Sequence, residues 1–365
     1  MMGGPLQPCV LLLTLLGLCF AVTPLMEDQQ QVPEIPLNLR PIIGILSQEP
    51  SRSMNRVLSH KNYTSYIAAS YVKYYESAGA RVVPILINQN ETYYREIMES
   101  INGLVFPGGA VPITQESGYG RAGRMLYDIL LEAAHLGKPT VPLFATCLGF
   151  EMLMYLSDNN TNPLTSCRAK NRADPLYLQE VLNNSAPRHV FIKHVTVSVV
   201  CVRSGSKHLA VLGWNSSQLL GEAPEDVLDT LANTNATSNF HKWCVTPETF
   251  QNSSLEKNFL LLSTSEDDDG LEYVSTVEHR HLPIYGFQWH PEKNIFEWGF
   301  DSIPHTLDAI RSSQYIANFF VEKARLNNQT FPTEEEEIAA LIYNHSPIYT
   351  ATLYPSSFQQ CYFFK

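Results

Sequence analysis

Neither a Cys-x-x-Cys pair nor a His-Glu-x-x-His helix occurs in this chain, so the spacings that announce zinc are missing and no metal site or cofactor is expected. Charge is scarce as well: only 17% of residues are charged, and 25 basic against 36 acidic side chains leave a net charge of −11. That acidic balance argues against nucleic acid as a partner. It says nothing against a local basic pocket for an acidic small molecule. No internal repeat is evident. What is present is ordinary for a folded protein: 365 residues, 44% of them hydrophobic, enough for a substantial core.

The N-terminus lacks two things that a membrane anchor or a standard leader would have. The apolar run Cys9–Val22 is too short to span a bilayer comfortably, and Met1–Pro8 carries no Lys or Arg. With Thr23-Pro24 and a polar stretch behind it, the run reads as the core of a signal peptide cleaved near Ala21 or Thr23. No membrane association is expected once it is removed. Nine Asn-x-Ser/Thr sequons agree with a luminal, glycosylated protein. Signal removal takes Cys9 and Cys19 with it and leaves Cys147, Cys167, Cys201, Cys244 and Cys361. An odd count in an oxidising compartment leaves a thiol over. Cys147 is expected to be that thiol, with the other four in two disulfides of unread connectivity.

The expected organisation is a signal peptide (1–23), an N-terminal segment (24–39), one α/β domain with insertions (40–330) and a docked C-terminal tail (331–365). Pro41–Leu46, Arg81–Ile87, Gly103–Gly109 (running into a tight turn) and Val141–Ala145 read as strands. Ser65–Ala78, Thr92–Ser100 and Gly120–Leu136 read as the helices between them. That alternation predicts a mostly parallel central sheet covered on both faces, with sites at the carboxyl ends of its strands. Leu156–Asn258 is less regular, though His194–Val202 and Leu209–Trp214 read as strands. Asn258–Ser263, Glu272–Glu278 and Pro283–Trp289 return to strands, and Thr306–Leu326 reads as a long amphipathic helix. Glu334–Glu337 reads as a solvated helix start.

Val141–Phe150 (VPLFATCLGF) carries the chemistry. A buried strand runs into Cys147, and Leu148, Met152 and Tyr155 then follow at helical spacing. A strand-turn-helix elbow presents Cys147 at its apex, with the free N–H groups of the helix start behind it. These favour the thiolate, which is the nucleophile. Gly149 fits an elbow with no room for a Cβ. Taken alone, the pentapeptide is equally a small buried cysteine at a strand end.

A cysteine nucleophile needs a base, and the base needs an orienting partner. His290 closes an apolar strand and Glu292 follows two residues later, on the same side if the segment is extended. Gly108 and Gly109 of Pro107-Gly-Gly offer backbone N–H groups that can approach closely because no Cβ intervenes. With the N–H of Leu148 they would form an oxyanion hole.

Together PGG, TCLGFE and FQWHPEK resemble the class I glutamine amidotransferase superfamily and, within it, the gamma-glutamyl hydrolase family. RPIIGIL, YIAASYVKYYESAGARVVPI, INGLVFPGG, NFHKW, YGFQWHPEK and SSFQQCY extend the resemblance over nearly the whole mature chain. It implies a flavodoxin-like fold of that superfamily and hydrolysis of the gamma-glutamyl bonds of folate and antifolate polyglutamates. It also implies a lysosomal and secreted location, and it allows a homodimer. By the same resemblance Cys147 is the nucleophile, His290 the general acid/base and Glu292 its acid partner. Gly109 and Leu148 take the oxyanion positions, Gly108 and His241 the substrate side. Ala145 departs from the family, which usually has Gly two before the cysteine. A cytosolic glutaminase subunit would share the same three catalytic residues, but the signal and the sequons speak against it.

Overall fold

A computed structural model describes residues 36–51, 54–55, 62–179, 216–352 and 358–365. The signal segment, the expected strands His194–Val202 and Leu209–Trp214, and Cys201 lie outside the described residues. Residues 36–365 belong to one compact unit.

In chain order the strands are β1 (Ile42–Leu46), β2 (Ser65–Ala68), β3 (Arg81–Ile85), β4 (Gly103–Phe106), β5 (Leu143–Thr146), β6 (Thr165–Asp174), β7 (Tyr177–Leu178), β8 (Thr237–Cys244), β9 (Phe259–Glu266), β10 (Glu272–His279), β11 (Ile284–Phe287), β12 (Ile348–Tyr349) and β13 (Gln360–Phe364). The five helices that matter most are α1 (Ala69–Ser77), α2 (Glu91–Met98), α3 (Gly118–His135), α4 (Leu148–Ser157) and α5 (Leu307–Arg325). The main sheet has the order β3-β1-β4-β5-β11-β10-β9-β7. From β3 to β11 all neighbours are parallel, and from β11 to β7 they are antiparallel.

Both faces of the parallel part are buried, which is why its strands read as continuous apolar runs. Ile43, Ile45, Val105, Phe144 and Phe287 pack on one face with Tyr74 and Tyr75 of α1 and Phe320 of α5. Ile42, Leu104, Phe106, Leu143 and Ala145 pack on the other with Ile97 of α2, Leu126 of α3 and Phe150 of α4. The chain lays β3 on one side of β1 and β4 on the other, a reversal of order of the kind that opens a crevice at the carboxyl ends of the strands. β4, β5 and β11 are neighbours there.

One expected element is corrected. The expected helix Ser65–Ala78 is a strand over its first four residues, because Ser65–Ala68 pairs antiparallel with β13, nearly 300 residues away. The middle of the chain supplies a two-stranded sheet of β6 and β8. Of the cysteines expected in disulfides, Cys167 is bonded to Cys244, and among the described residues Cys361 is a buried thiol on β13 against the Thr350 hydroxyl; Cys201, its remaining expected partner, lies outside them. In the C-terminal segment β13 sits between β12 and β2.

Candidate active site

Cys147 sits where β5 turns into α4. Its φ of 50° and ψ of −108° lie where a side chain is strained, at a cost of about 1–3 kcal/mol that its surroundings must hold. They do so through backbone bonds. The Cys147 N–H donates to the Phe287 carbonyl at 2.7 Å, and its own carbonyl accepts from the Glu151 N–H at 2.9 Å. The elbow is also pressed onto β4, where a Cβ at Gly149 would run into the Phe106 carbonyl oxygen. The Ala145 methyl is wholly buried in the core on the α4 face of the sheet.

The thiol is not held as a thiolate, contrary to what the helix start suggested. Burial pushes the Cys147 thiol well up, and the Glu151 and Glu292 carboxyls push the same way. Lys293 and the Leu148 N–H, which points at the sulfur, pull down without overcoming them. A buried anion costs more than the helix end returns. At rest the Cys147 side chain is therefore held as a thiol.

His290 lies beside the same glycine as Cys147 and is paired with a carboxylate. Its Nδ1 lies 2.7 Å from Glu292 Oε1, and both side chains are buried. With Nδ1–H donated to the carboxylate, Nε2 is left as the basic nitrogen. Burial holds the imidazole below its ordinary value, against the opposing pull of Glu292. Burial would raise Glu292, but the His290 ring, its hydrogen bond and Lys293 bring it below the usual carboxylate range. The pair rests as neutral imidazole and carboxylate. The two meet through a turn, not through the extended strand that i, i+2 spacing suggested: β11 ends at Phe287, and Glu292 has helical angles of −69° and −25°.

Gly108 lies between Cys147 and His290. A Cβ on it would lie 2.7 Å from His290 Cε1, 2.7 Å from the Tyr71 hydroxyl and 3.2 Å from Cys147 Cβ, so the imidazole and the start of the Cys147 side chain flank one position that only glycine fills. The Gly108 N–H donates to the Tyr71 hydroxyl at 2.7 Å and is not a free oxyanion donor. Among the described residues, the Gly109 N–H has no protein acceptor and the Leu148 N–H only the Cys147 sulfur.

His241, on β8, is buried. Its Nε2 faces Asn239 Oδ1 at 3.3 Å, and its Nδ1 faces the Trp243 carbonyl at 3.2 Å and both sulfurs of the disulfide. Burial lowers it to about 3, with the nearby His290 pushing the same way. The structure thus gathers Cys147, Leu148, Gly108, Gly109, His290 and Glu292, whereas His241 touches none of them among its hydrogen bonds and meets them through the electrostatic effect of His290.

Several side chains around the site escaped sequence reasoning. Tyr71 on α1 touches both the Gly108 N–H and, at 3.3 Å, His290 Nδ1. Gln48 donates to the Gly108 carbonyl at 2.8 Å. Phe240 packs edge-on to the His290 ring, with Lys293 Nζ over its face at 5.0 Å. Glu151, one turn into α4, is buried with Gln288 as partner and is pushed up by burial to about 8. No spacing marks Tyr71 or Gln48. TCLGFE and HPEK did contain Glu151 and Lys293.

Residues 41–161 match the Peptidase C26 family. The chain is 38% identical to the gamma-glutamyl hydrolase of Homo sapiens over 89% of its length and 90% of that protein's. It is 34% identical to gamma-glutamyl hydrolase B of Dictyostelium discoideum over 86% of its length and 80% of that protein's. This chain belongs to the gamma-glutamyl hydrolase family. A solved glutamine amido transferase from Methylobacillus flagellatus aligns over 80% of this chain and 97% of its own, at 11% identity and a TM-score of 0.39. The Peptidase C26 match ends ten residues past Glu151, so His241, His290 and Glu292 lie beyond it. The full-length relatives span all of them in this gamma-glutamyl hydrolase family member.

Proposed function

We propose that this chain hydrolyses the gamma-glutamyl bonds of folate and antifolate polyglutamates through an acyl-enzyme on Cys147. His290 Nε2 takes the thiol proton as the sulfur attacks the gamma-carbonyl carbon. The oxygen of the tetrahedral species gains negative charge beside the N–H groups of Gly109 and Leu148, where one donor is typically worth about 10²–10³ in rate. The imidazolium, held by Glu292, protonates the departing amine. A water molecule, deprotonated by the same ring, then cleaves the thioester and frees the new carboxylate. Gly108 lines the substrate side, and so does His241 by the family resemblance. Neither step calls for a cofactor.

The observation that carries this reading is the convergence of the elbow thiol, the His290–Glu292 pair and the Gly108-Gly109 turn at the ends of three adjacent strands, in a gamma-glutamyl hydrolase family member. The same proposal places the protein in the lysosome and outside the cell. The seven sequon asparagines among the described residues are all exposed, as glycan attachment needs, and no helix among those residues is long and apolar enough to cross a membrane. We carry the homodimer over from the family resemblance alone. The test is product analysis on a folate pentaglutamate: glutamate or a glutamate oligomer should appear with the wild type and not with Cys147→Ala. Undiminished release by that variant would exclude the mechanism.

A further inference from the structure

Strands β6 and β8 bring together three ligand-type side chains. Cys167, His241 and Cys244 are all buried, with their sulfur and nitrogen atoms within 4.8 Å of one another. His241 Nδ1 lies 3.6 Å from the Cys167 sulfur and 3.4 Å from the Cys244 sulfur. A soft ligand set of two sulfurs and one imidazole suits a thiophilic cation of the zinc class.

A second observation points to a ligand here: the His241 ring cannot satisfy both nitrogens while the sulfurs are bonded to each other. Nε2 faces the oxygen of Asn239, whose amide nitrogen is committed to Asp174 and the Thr237 carbonyl. Nε2 can bond that oxygen only by carrying the hydrogen. Nδ1, facing the Trp243 carbonyl and two disulfide sulfurs, finds only acceptors. A neutral ring has one N–H, so in either tautomer one lone pair points at another acceptor. A cation held between Nδ1 and two thiolates removes the mismatch, and Asn239 then serves as the outer partner that orients a metal-bound imidazole.

We propose that the Cys167–Cys244 disulfide masks a redox-gated metal site, formed by Cys167, His241 and Cys244 once a dithiol reduces the bond. One thiolate of the dithiol attacks a disulfide sulfur and releases the other as a thiolate. Its second thiol then closes to a cyclic disulfide and frees the first. The dithiol is oxidised by two electrons, and its two protons pass to Cys167 and Cys244. Binding of a divalent cation displaces those two protons, with Nδ1 as the third ligand. The metal site does not depend on the proposed hydrolysis, and its test does not read activity.

The experiment uses full-length Cys147→Ala protein, so that the elbow thiol contributes nothing, with a dithiol reductant and Co²⁺ alone as the probe. Reduced protein should bind one equivalent and develop thiolate-to-cobalt charge-transfer absorption. Oxidised protein should not, and Cys167→Ala or Cys244→Ala should abolish the band. Absence of the band in reduced protein, or its survival in either variant, overturns the proposal. Because reduction could loosen the domain, thermal unfolding of the reduced protein with Zn²⁺ alone is read alongside. The midpoint should rise by several degrees with both cysteines present and stay unmoved in Cys244→Ala. No rise, or an equal one in the variant, overturns it too.

Discussion

His290 Nδ1 and Glu292 Oε1 are 2.7 Å apart in a site where both side chains are almost wholly screened from water. That contact fixes the tautomer and supplies the one strong force opposing the burial that lowers the imidazole. Glu292→Gln keeps the volume and removes the charge. The expected result is a fall in kcat of roughly 10²–10⁴-fold, the range seen when an orienting carboxylate is lost. The acid limb of the pH–rate profile should move to lower pH, because the group that raises the His290 value has gone. An acid limb that moves up, or does not move, would contradict the assigned pairing.

Tyr71 holds the Gly108 N–H at 2.7 Å and touches His290 Nδ1 at 3.3 Å, so it keeps the glycine turn and the base in register. Tyr71→Phe leaves a buried N–H without an acceptor, a cost of about 1–3 kcal/mol. Steady-state kinetics should show kcat falling by about 10–100-fold with little change in KM, since positioning and not binding is lost. A pure KM effect would place Tyr71 on the substrate side instead.

Gly149 is where the elbow and β4 come closest, and any Cβ there meets the Phe106 carbonyl. Gly149→Ala should destabilise the fold by about 1–3 kcal/mol, measured by urea unfolding, because backbone on both sides must give way. A variant as stable as the wild type would mean the turn has slack that its backbone contacts do not show.

The parallel sheet and the elbow could be read from the chain because they rest on local pattern. Apolar runs mark strands buried on both faces, and Ser117 and Thr306 cap α3 and α5 as their residue types suggest. What escaped was settled by partners far away in sequence. Ser65–Ala68 has the aromatic and aliphatic content of a helix face and becomes a strand only because β13 pairs with it. The thiolate expectation failed for a similar reason: a helix N-terminus is visible locally, whereas the burial and the carboxyls of Glu151 and Glu292 that outweigh it come from the folded site. Tyr71, although inside the stretch YIAASYVKYYESAGARVVPI, and Gln48 carry no spacing that singles them out, so only the packing shows that they reach the glycine turn.

Glu151 gives a pH test of the buried site that does not depend on turnover. Burial raises its carboxyl from 4.5 to about 8, so the folded protein keeps a proton that the unfolded chain gives up near 4.5. Between those values the native state binds more protons, and stability must fall as pH rises, by up to about 1.4 kcal/mol per pH unit. His241 and His279 act in the opposite sense. Burial lowers them to about 3 and about 4, so the unfolded chain binds more protons and stability rises with pH until the ordinary imidazole value of 6.5. The two trends oppose each other below pH 6.5, and above it Glu151 is left without that opposition. Urea unfolding of the wild type should therefore lose about 1–2 kcal/mol between pH 6.5 and 8, while Glu151→Gln, which cannot ionise, should stay nearly level over the same range. Parallel slopes for the two proteins would mean that Glu151 is already ionised in the folded state.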